Sequence, residues 1–352
     1  MADPTLQALP SNVGEIRPAH RFDEARLAAW LADNVEGAGK TVRVRQFHGG
    51  ASNPTFLVET GDQLLVLRKK PPGQLLASAH QVDREYRVMK ALGGVGFPVP
   101  RMRALCLDEA VIGTTFYVMD YLAGRIFRDA RLPDLSPADR AAVYDEVGSV
   151  LARLHQVDYV AIGLGDYGRP GNYFERQIAR WTKQYRDAQT MDIPAMETLI
   201  AELPKRMPKD DVTTIAHGDY RPENMMFHPT EPRVTAVLDW ELSTLGHPLA
   251  DVGYIGMLWD SKSVSWGTLA GVDFATSGIP TREAFVADYC RRTGRDHIDD
   301  YNFYLAFSAF RLASIGQGVF KRNLDGIGAH DATGDNSGTA ERAEAALRAL
   351  RA

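Results

Sequence analysis

Cysteine is almost missing from this chain of 352 residues: Cys106 and Cys290 can build neither a disulfide framework nor a paired-cysteine metal motif, which fits a reducing compartment. No apolar run approaches the ~18 residues that a membrane helix needs. The opening stretch, MADPTLQALPSNVGEIRPAH, holds no apolar core of signal-peptide length. A cytoplasmic protein with no membrane partner is the expectation. Charge of one sign is never bunched, and 40 Lys+Arg against 45 Asp+Glu leave a net charge of −5, so no nucleic-acid partner is expected either. There is no G-x-S-x-G elbow for a hydrolase serine and no His/Cys cluster with zinc spacing. One G-x-G-x-x-G does occur, from Gly163 to Gly168. It follows a helical pattern ending near Val157 rather than a strand, and no helix opens from it, so it is not a dinucleotide fingerprint.

What is present is an ordinary globular composition, 45% hydrophobic and 24% charged, in a chain long enough for two domains. Residues 1–20 carry Pro4, Pro10 and Pro18 with little periodicity and read as a loose arm. Residues 21–123 read as a small α+β lobe. RFDEARLAAWLADNV is an amphipathic helix, and VRVRQF, TFLVET and QLLVLRKK form an antiparallel meander. SAHQVDREYRVMKALGG is a second helix, and two more strands follow at Arg101–Asp108 and Thr115–Tyr121. That predicts five strands with one long helix between the third and fourth. Residues 124–352 read as a larger, mainly helical lobe, whose clearest helix opens at Ser136-Pro137 with an N-cap serine and a proline in its first position.

The informative stretch is IAHGDYRPENMMFHPTEPRVTAVLDWE, from Ile215 to Glu241. It holds Asp219, then Asn224 five positions on, then Asp239 at the end of an apolar strand. Phosphoryl transfer asks little covalent work of a protein. It needs a carboxylate to orient the attacking hydroxyl and take its proton, and oxygen ligands for Mg²⁺ on the nucleotide phosphates. Asp, Asn and Asp at this spacing on strand–loop–strand hydrophobics supply both, and hard oxygens suit Mg²⁺ rather than zinc.

HGDYRPENMMF followed by LDWE resembles the catalytic and metal loops of the aminoglycoside-phosphotransferase-like kinases, a group that includes choline-kinase-type enzymes and is related to protein kinases. LRKKPPG, SAHQVDREYRVMKAL and LDWELSTLGHPLADVGY are similar to the branch fused to, or encoded beside, acyl-CoA dehydrogenases. The likeness runs over about residues 22–325. It implies a two-lobed protein-kinase-like fold, with 21–123 as the nucleotide-binding lobe and 124–352 as the catalytic and acceptor-binding lobe. It also implies ATP and Mg as cofactors, Asp219 as catalytic base, Asn224 and Asp239 as magnesium ligands, and His217 as a brace of the loop.

A kinase further needs a cation on the phosphates, held by an acid from the neighbouring helix. Glu85 falls within the apolar stripe of its helix, where a carboxylate is costly unless a cation meets it. Arg68 and Lys70 share a strand face and are the candidates; Arg68 stands where lysine is usual, and arginine binds phosphate bidentately. The loop HGGASNPTF would cover the phosphates through Gly50, Ser52 and Asn53. FYVMDYLAG is similar to the strand that leads to the hinge, with Met119 behind the adenine and backbone groups of Asp120 and Leu122 at its edge.

Asp239 is followed within a few residues by GHPLADVGY, which leaves no room for an activation segment, so the acceptor is a small molecule rather than a peptide. Asp251 is expected to hold the catalytic loop from below. Arg176, Arg180, Lys183 and Arg186 put four cations on or near one helix, which reads either as a solvated face or as the sign of an anionic acceptor such as a hydroxy acid or hydroxyacyl-CoA. The sequence thus describes a phosphotransferase with an alcohol group as acceptor, functionally linked to an acyl-CoA dehydrogenase. An antibiotic phosphotransferase of aminoglycoside or macrolide type, and a nucleotide-binding pseudokinase, are the alternatives.

Overall fold

Two hydrophobic periods share this chain, alternation in much of its first third and helical spacing in most of the remainder, and the fold follows them. The computed structural model describes residues 10, 12–48, 53–71, 81–260, 267–325 and 337–352. The chain divides into two compact units: Met1–Ala123 with Thr235–Glu241, and Gly124–Val234 with Leu242–Ala352. The division expected from sequence, a single break after residue 123, is amended by the segment Thr235–Glu241. Its place in the first unit has a plain cause. Val237 N donates to Pro98 O at 2.8 Å, and the Trp240 ring meets Phe97 edge-on with centroids 6.1 Å apart.

The first unit is built on a six-stranded antiparallel sheet, with β1 (Val13–Gly14), β2 (Arg43–Phe47), β3 (Thr55–Thr60), β4 (Gln63–Lys69), β5 (Met102–Cys106) and β6 (Phe116–Asp120) in the order β1-β2-β3-β4-β6-β5. Six strands replace the five expected. The extra one lies in the segment read as a loose arm, where Val13 pairs with Phe47 and Gly14 with Gln46. Two residues among prolines are too short to show alternation. That segment is also tied down by His48 N on Asn12 O at 2.7 Å and Arg17 N on Gln46 Oε1 at 2.9 Å, so residues 12–20 are not loose.

Alternation then decides the two faces of the sheet. Phe56, Val58, Leu65, Leu67, Phe116 and Val118 point one way and bury with Leu27 and Leu31 of α1 (Glu24–Asn34) and Val35 just past it. Lys69 lies on that face, its ammonium over the Phe22 and Phe56 rings. The opposite face carries Arg68, with Tyr117 opposite it in register, and takes α2 (Val82–Gly94), whose buried stripe is Val82, Glu85, Val88, Met89 and Leu92.

The second unit is mostly helical: α3 (Pro137–His155), α4 (Tyr173–Ala188), α5 (Pro194–Glu202), α6 (Leu249–Asp260), α7 (Arg282–Thr293), α8 (Tyr301–Leu324) and α9 (Ser337–Arg351). The Ser136 hydroxyl accepts from Asp139 N at 3.1 Å, the cap its sequence announces. From Leu249 to Trp259 every residue of α6 is buried, which marks it as the inner helix of this unit. α8 packs against α4, α6 and α9. Short strands interrupt the helices. β7 (Thr214–Ala216) pairs antiparallel with β10 (Thr244–Gly246), and β8 (Met225–Phe227) runs into a turn closed by His228 N on Arg233 O at 2.8 Å, after which β9 (Val234–Val237) passes into the segment counted with the first unit. Among the described residues no helix is long and apolar enough to cross a membrane.

Candidate active site

In the second unit the chain leaves β7 and turns around one buried carboxylate. Asp251, in the first turn of α6, accepts from His217 N at 2.7 Å and from Gly218 N at 2.8 Å, as expected of a residue that holds the loop. His155 Nε2 lies 3.3 Å from it, while His155 Nδ1 and the Tyr289 hydroxyl share a hydrogen bond at 2.8 Å. Burial alone would raise the pKa of Asp251, but the bond and charge of His155, the nearby His217 and the Gly218 N–H hold it below the usual aspartate value. Gly218 sits at φ +83°, and a Cβ there would come within 2.8 Å of Leu242 O, so the turn needs glycine. His217, fully buried, accepts from Asp219 N through Nδ1 at 3.1 Å and so braces the loop.

That turn sets Asp219 among three donors. Tyr254 of α6 donates its hydroxyl to Oδ1, Arg221 Nε approaches the same oxygen at 3.2 Å, and Asn224 Nδ2 donates to Oδ2 at 2.7 Å. Asn224 Nδ2 also donates to Asp219 O at 2.9 Å. Both acceptors are oxygens, which fixes the amide's orientation and leaves Asn224 Oδ1 outside these bonds as a hard ligand. Burial, and then the Asp219 charge, push the Tyr254 phenol well above its ordinary pKa, so it stays a donor. Burial would lower the pKa of Arg221, but Asp219, Tyr254 and Glu223 hold it above the usual value.

In the first unit a second cluster forms around Arg68. Its Nε stands 3.2 Å from Glu85 Oε2, and its Nη2 donates to Asp239 Oδ1 at 2.8 Å and lies 3.6 Å from Glu241 Oε2. Glu85, 1% exposed, also accepts from Asn53 Nδ2 at 2.8 Å and from Tyr117 O–H at 3.1 Å. Burial raises the pKa of Glu85 against the opposing pull of Arg68, with the Asp239 charge adding to the rise. Burial would lower that of Arg68, but Glu85, Tyr117, Asp239 and Glu241 together hold it above its normal value. Asp239 has φ +65°, uncommon for a residue with a side chain and frequent where function fixes the backbone. Its Oδ2 lies outside the bond to Arg68.

The structure thus brings Asp219 together with Asn224, and Arg68 together with Glu85, Asn53 and Asp239. Lys70 is not in that cluster: it lies one residue past β4, half-buried, with its N–H on Thr115 O. Met119 is buried in β6, and Leu122 is half-buried beyond it. The Asp120 N–H is spent on Arg101 O at 3.0 Å, so of its backbone groups that donor is not available to a base edge. Gly50 and Ser52 lie outside the described residues. Among the described residues no three His, Cys, Asp or Glu side chains gather as a metal cluster. Asn224 Oδ1 in the second unit and the Asp239 carboxylate in the first are each a hard oxygen donor of the kind that Mg²⁺ takes.

Tyr254, Arg221, Tyr117 and Glu241 were missed from the sequence. Tyr254 had a signal, since it follows Asp251 by one helical turn and so shares its face.

A family model described as a phosphotransferase enzyme family matches residues 43–304. Human acyl-CoA dehydrogenase family member 11 is 45% identical over 322 residues, which takes in 90% of this chain and 41% of that protein. The chain therefore spans about two fifths of that relative's length. A solved structure from Ralstonia eutropha JMP134, provisionally assigned as an aminoglycoside phosphotransferase, is 50% identical with a TM-score of 0.85, covering 94% of this chain and 99% of the other. Choline kinase from Cryptosporidium parvum Iowa II shares the fold alone, at 12% identity and a TM-score of 0.62, over 94% of this chain and 96% of the kinase.

Proposed function

The chain belongs to the phosphotransferase enzyme family, and on that footing we propose that it transfers the γ-phosphoryl group of ATP, with Mg²⁺, to the hydroxyl of a small molecule. The acceptor in this reading is a hydroxy acid or a hydroxyacyl-CoA. One observation carries it: the Asp219 carboxylate is fixed by Tyr254 of α6 and by Arg221 and Asn224, which follow the turn that Asp251 holds. A carboxylate offers about four lone-pair sites. Three donors leave one, on Oδ2, to orient the acceptor hydroxyl and take its proton as oxygen attacks phosphorus and ADP departs.

Asn224 and Asp239 would hold the magnesium, which when bound neutralises charge on the phosphates. Arg68, kept in place by Glu85, would bind phosphate oxygens in the bidentate manner of a guanidinium. The chain offers Asn53 beside Glu85 to steady that pair. Likeness to the human relative, named an acyl-CoA dehydrogenase family member, supports a functional link to such a dehydrogenase and hence an acyl acceptor.

The test is a screen of hydroxy acids and hydroxyacyl-CoA esters for phosphate transfer from ATP, with Asp219→Ala alongside. Acceptor-dependent transfer that is lost in the variant is the expected result. Turnover unchanged by D219A removes Asp219 from the mechanism, and Mg-ATP binding without transfer to any alcohol points to a pseudokinase. The name given to the Ralstonia structure favours an antibiotic as second reading. A sensitive host that expresses the chain and keeps its inhibitory concentrations unchanged counts against that.

A further inference from the structure

Arg311 is a buried cation with no carboxylate in ion-pair contact among the described residues. It lies within α8 and is 5% exposed. Its Nε has no hydrogen-bond partner, and among the described residues no carboxylate stands within ion-pair distance of its guanidinium. Two aromatic faces box it instead, Trp181 of α4 with its ring centroid 5.5 Å from Cζ and Tyr254 of α6 at 5.7 Å. Arg180 approaches the same indole at 5.2 Å, so cation adds to cation on this side of the unit.

A lone buried guanidinium is unfavourable, and ring faces offset only part of its lost hydration. A fold keeps such a group where an anion arrives from outside. Position points the same way. Tyr254, one face of the box, is the residue that donates its hydroxyl to Asp219, so a single ring links the uncompensated charge to the carboxylate at the proposed reaction centre.

We propose that Arg311 receives an acidic group of the acceptor, a carboxylate or phosphate carried on the same molecule as the hydroxyl that is phosphorylated. The assignment of that hydroxyl rests on the function proposed above; the anion site does not. Arg311 then sets specificity: it admits acidic alcohols and turns away polycationic ones, whose ammonium groups would meet Arg311 and Arg180.

Calorimetry on the full chain without nucleotide tests the site, with 3-hydroxybutyrate and glycerol 3-phosphate as probes and 3-hydroxybutyramide as the uncharged control. One anion should bind at least about tenfold more tightly than the amide, as a charge-assisted contact with a buried arginine implies; which anion wins tells carboxylate from phosphate. Arg311→Met should abolish that preference, Arg311→Lys should recover part of it, and R311M should melt no lower than the wild type because it removes an unpaired charge. If R311M fails to fold, R311Q reads the same contrast. Equal or absent binding of anion and amide, or a preference that survives R311M or R311Q, overturns the proposal. An Arg311-dependent anion site in a protein that transfers no phosphate would sink the kinase reading and leave this one standing. Asp219-dependent transfer with no anion preference does the reverse.

Discussion

Tyr254 donates its phenolic hydrogen to Asp219 Oδ1, and so joins the inner helix of the second unit to the turn after β7. The tyrosine is a positioning residue: it aims the carboxylate. Tyr254→Phe keeps the ring and removes the bond, so kcat should fall about 10- to 100-fold, the span of one charge-assisted hydrogen bond, while KM for ATP moves little. Steady-state kinetics on both substrates check this. A loss confined to KM would show that the hydroxyl does not act through Asp219.

Arg68 meets three acids, and its removal leaves one of them stranded. In Arg68→Ala the Glu85 carboxylate stays 1% exposed with no cation, at a cost of about 3–5 kcal/mol. Arg68→Lys restores charge but not the fork that reaches Glu85 and Asp239 together. Denaturant melts should rank wild type above R68K above R68A, and KM for ATP should rise roughly tenfold in R68K. Equal melts for all three would contradict the pairing.

Asp251 makes stability depend on acid. Its folded pKa lies below the usual 3.8, so the stability it confers is complete above that value and fades as pH falls through the lower folded one. At neutral pH Asp251→Asn should cost on the order of 3 kcal/mol, because the bonds to His217 N, Gly218 N and His155 lose a charged acceptor. Urea melts should show that gap narrowing at pH values below 3.8. A gap of constant size would mean the carboxylate is not the ionised acceptor described.

Gly218→Ala brings a side chain to φ +83° and a methyl to 2.8 Å from Leu242 O. The variant should lose about 1–3 kcal/mol and lose activity out of proportion, since Asp219 is the next residue. Parallel melting curves and kcat measurements decide it. A fully active variant would show that the turn can relax without moving its carboxylate.

How much of this could be read from sequence depends on distance along the chain. Asp219 and Asn224 lie five residues apart on one turn, and the short range made their pairing legible. Glu85 was legible too, because an acid in an apolar helical stripe demands a cation. Arg68 rather than Lys70 answered it because β4 ends at Lys69, and strand ends are set by pairing with β3 and β6 rather than by local pattern. Arg311 could not be found in this way. α8 is apolar over most of its length, and whether an arginine in it turns outward or inward is decided by Trp181 and Tyr254 on other helices. β1, β7 and β10, of two or three residues each, are too short to announce themselves.

The return of Thr235–Glu241 to the first unit limits how this protein can be dissected. A fragment ending at Ala123 would keep Phe97, Pro98 and Arg68 yet forfeit Trp240, Val237 and Asp239, their neighbours from more than a hundred positions downstream. No single scissor cut in the polypeptide therefore frees that unit intact. To transplant or express that half alone, an engineer would have to splice the late segment back on.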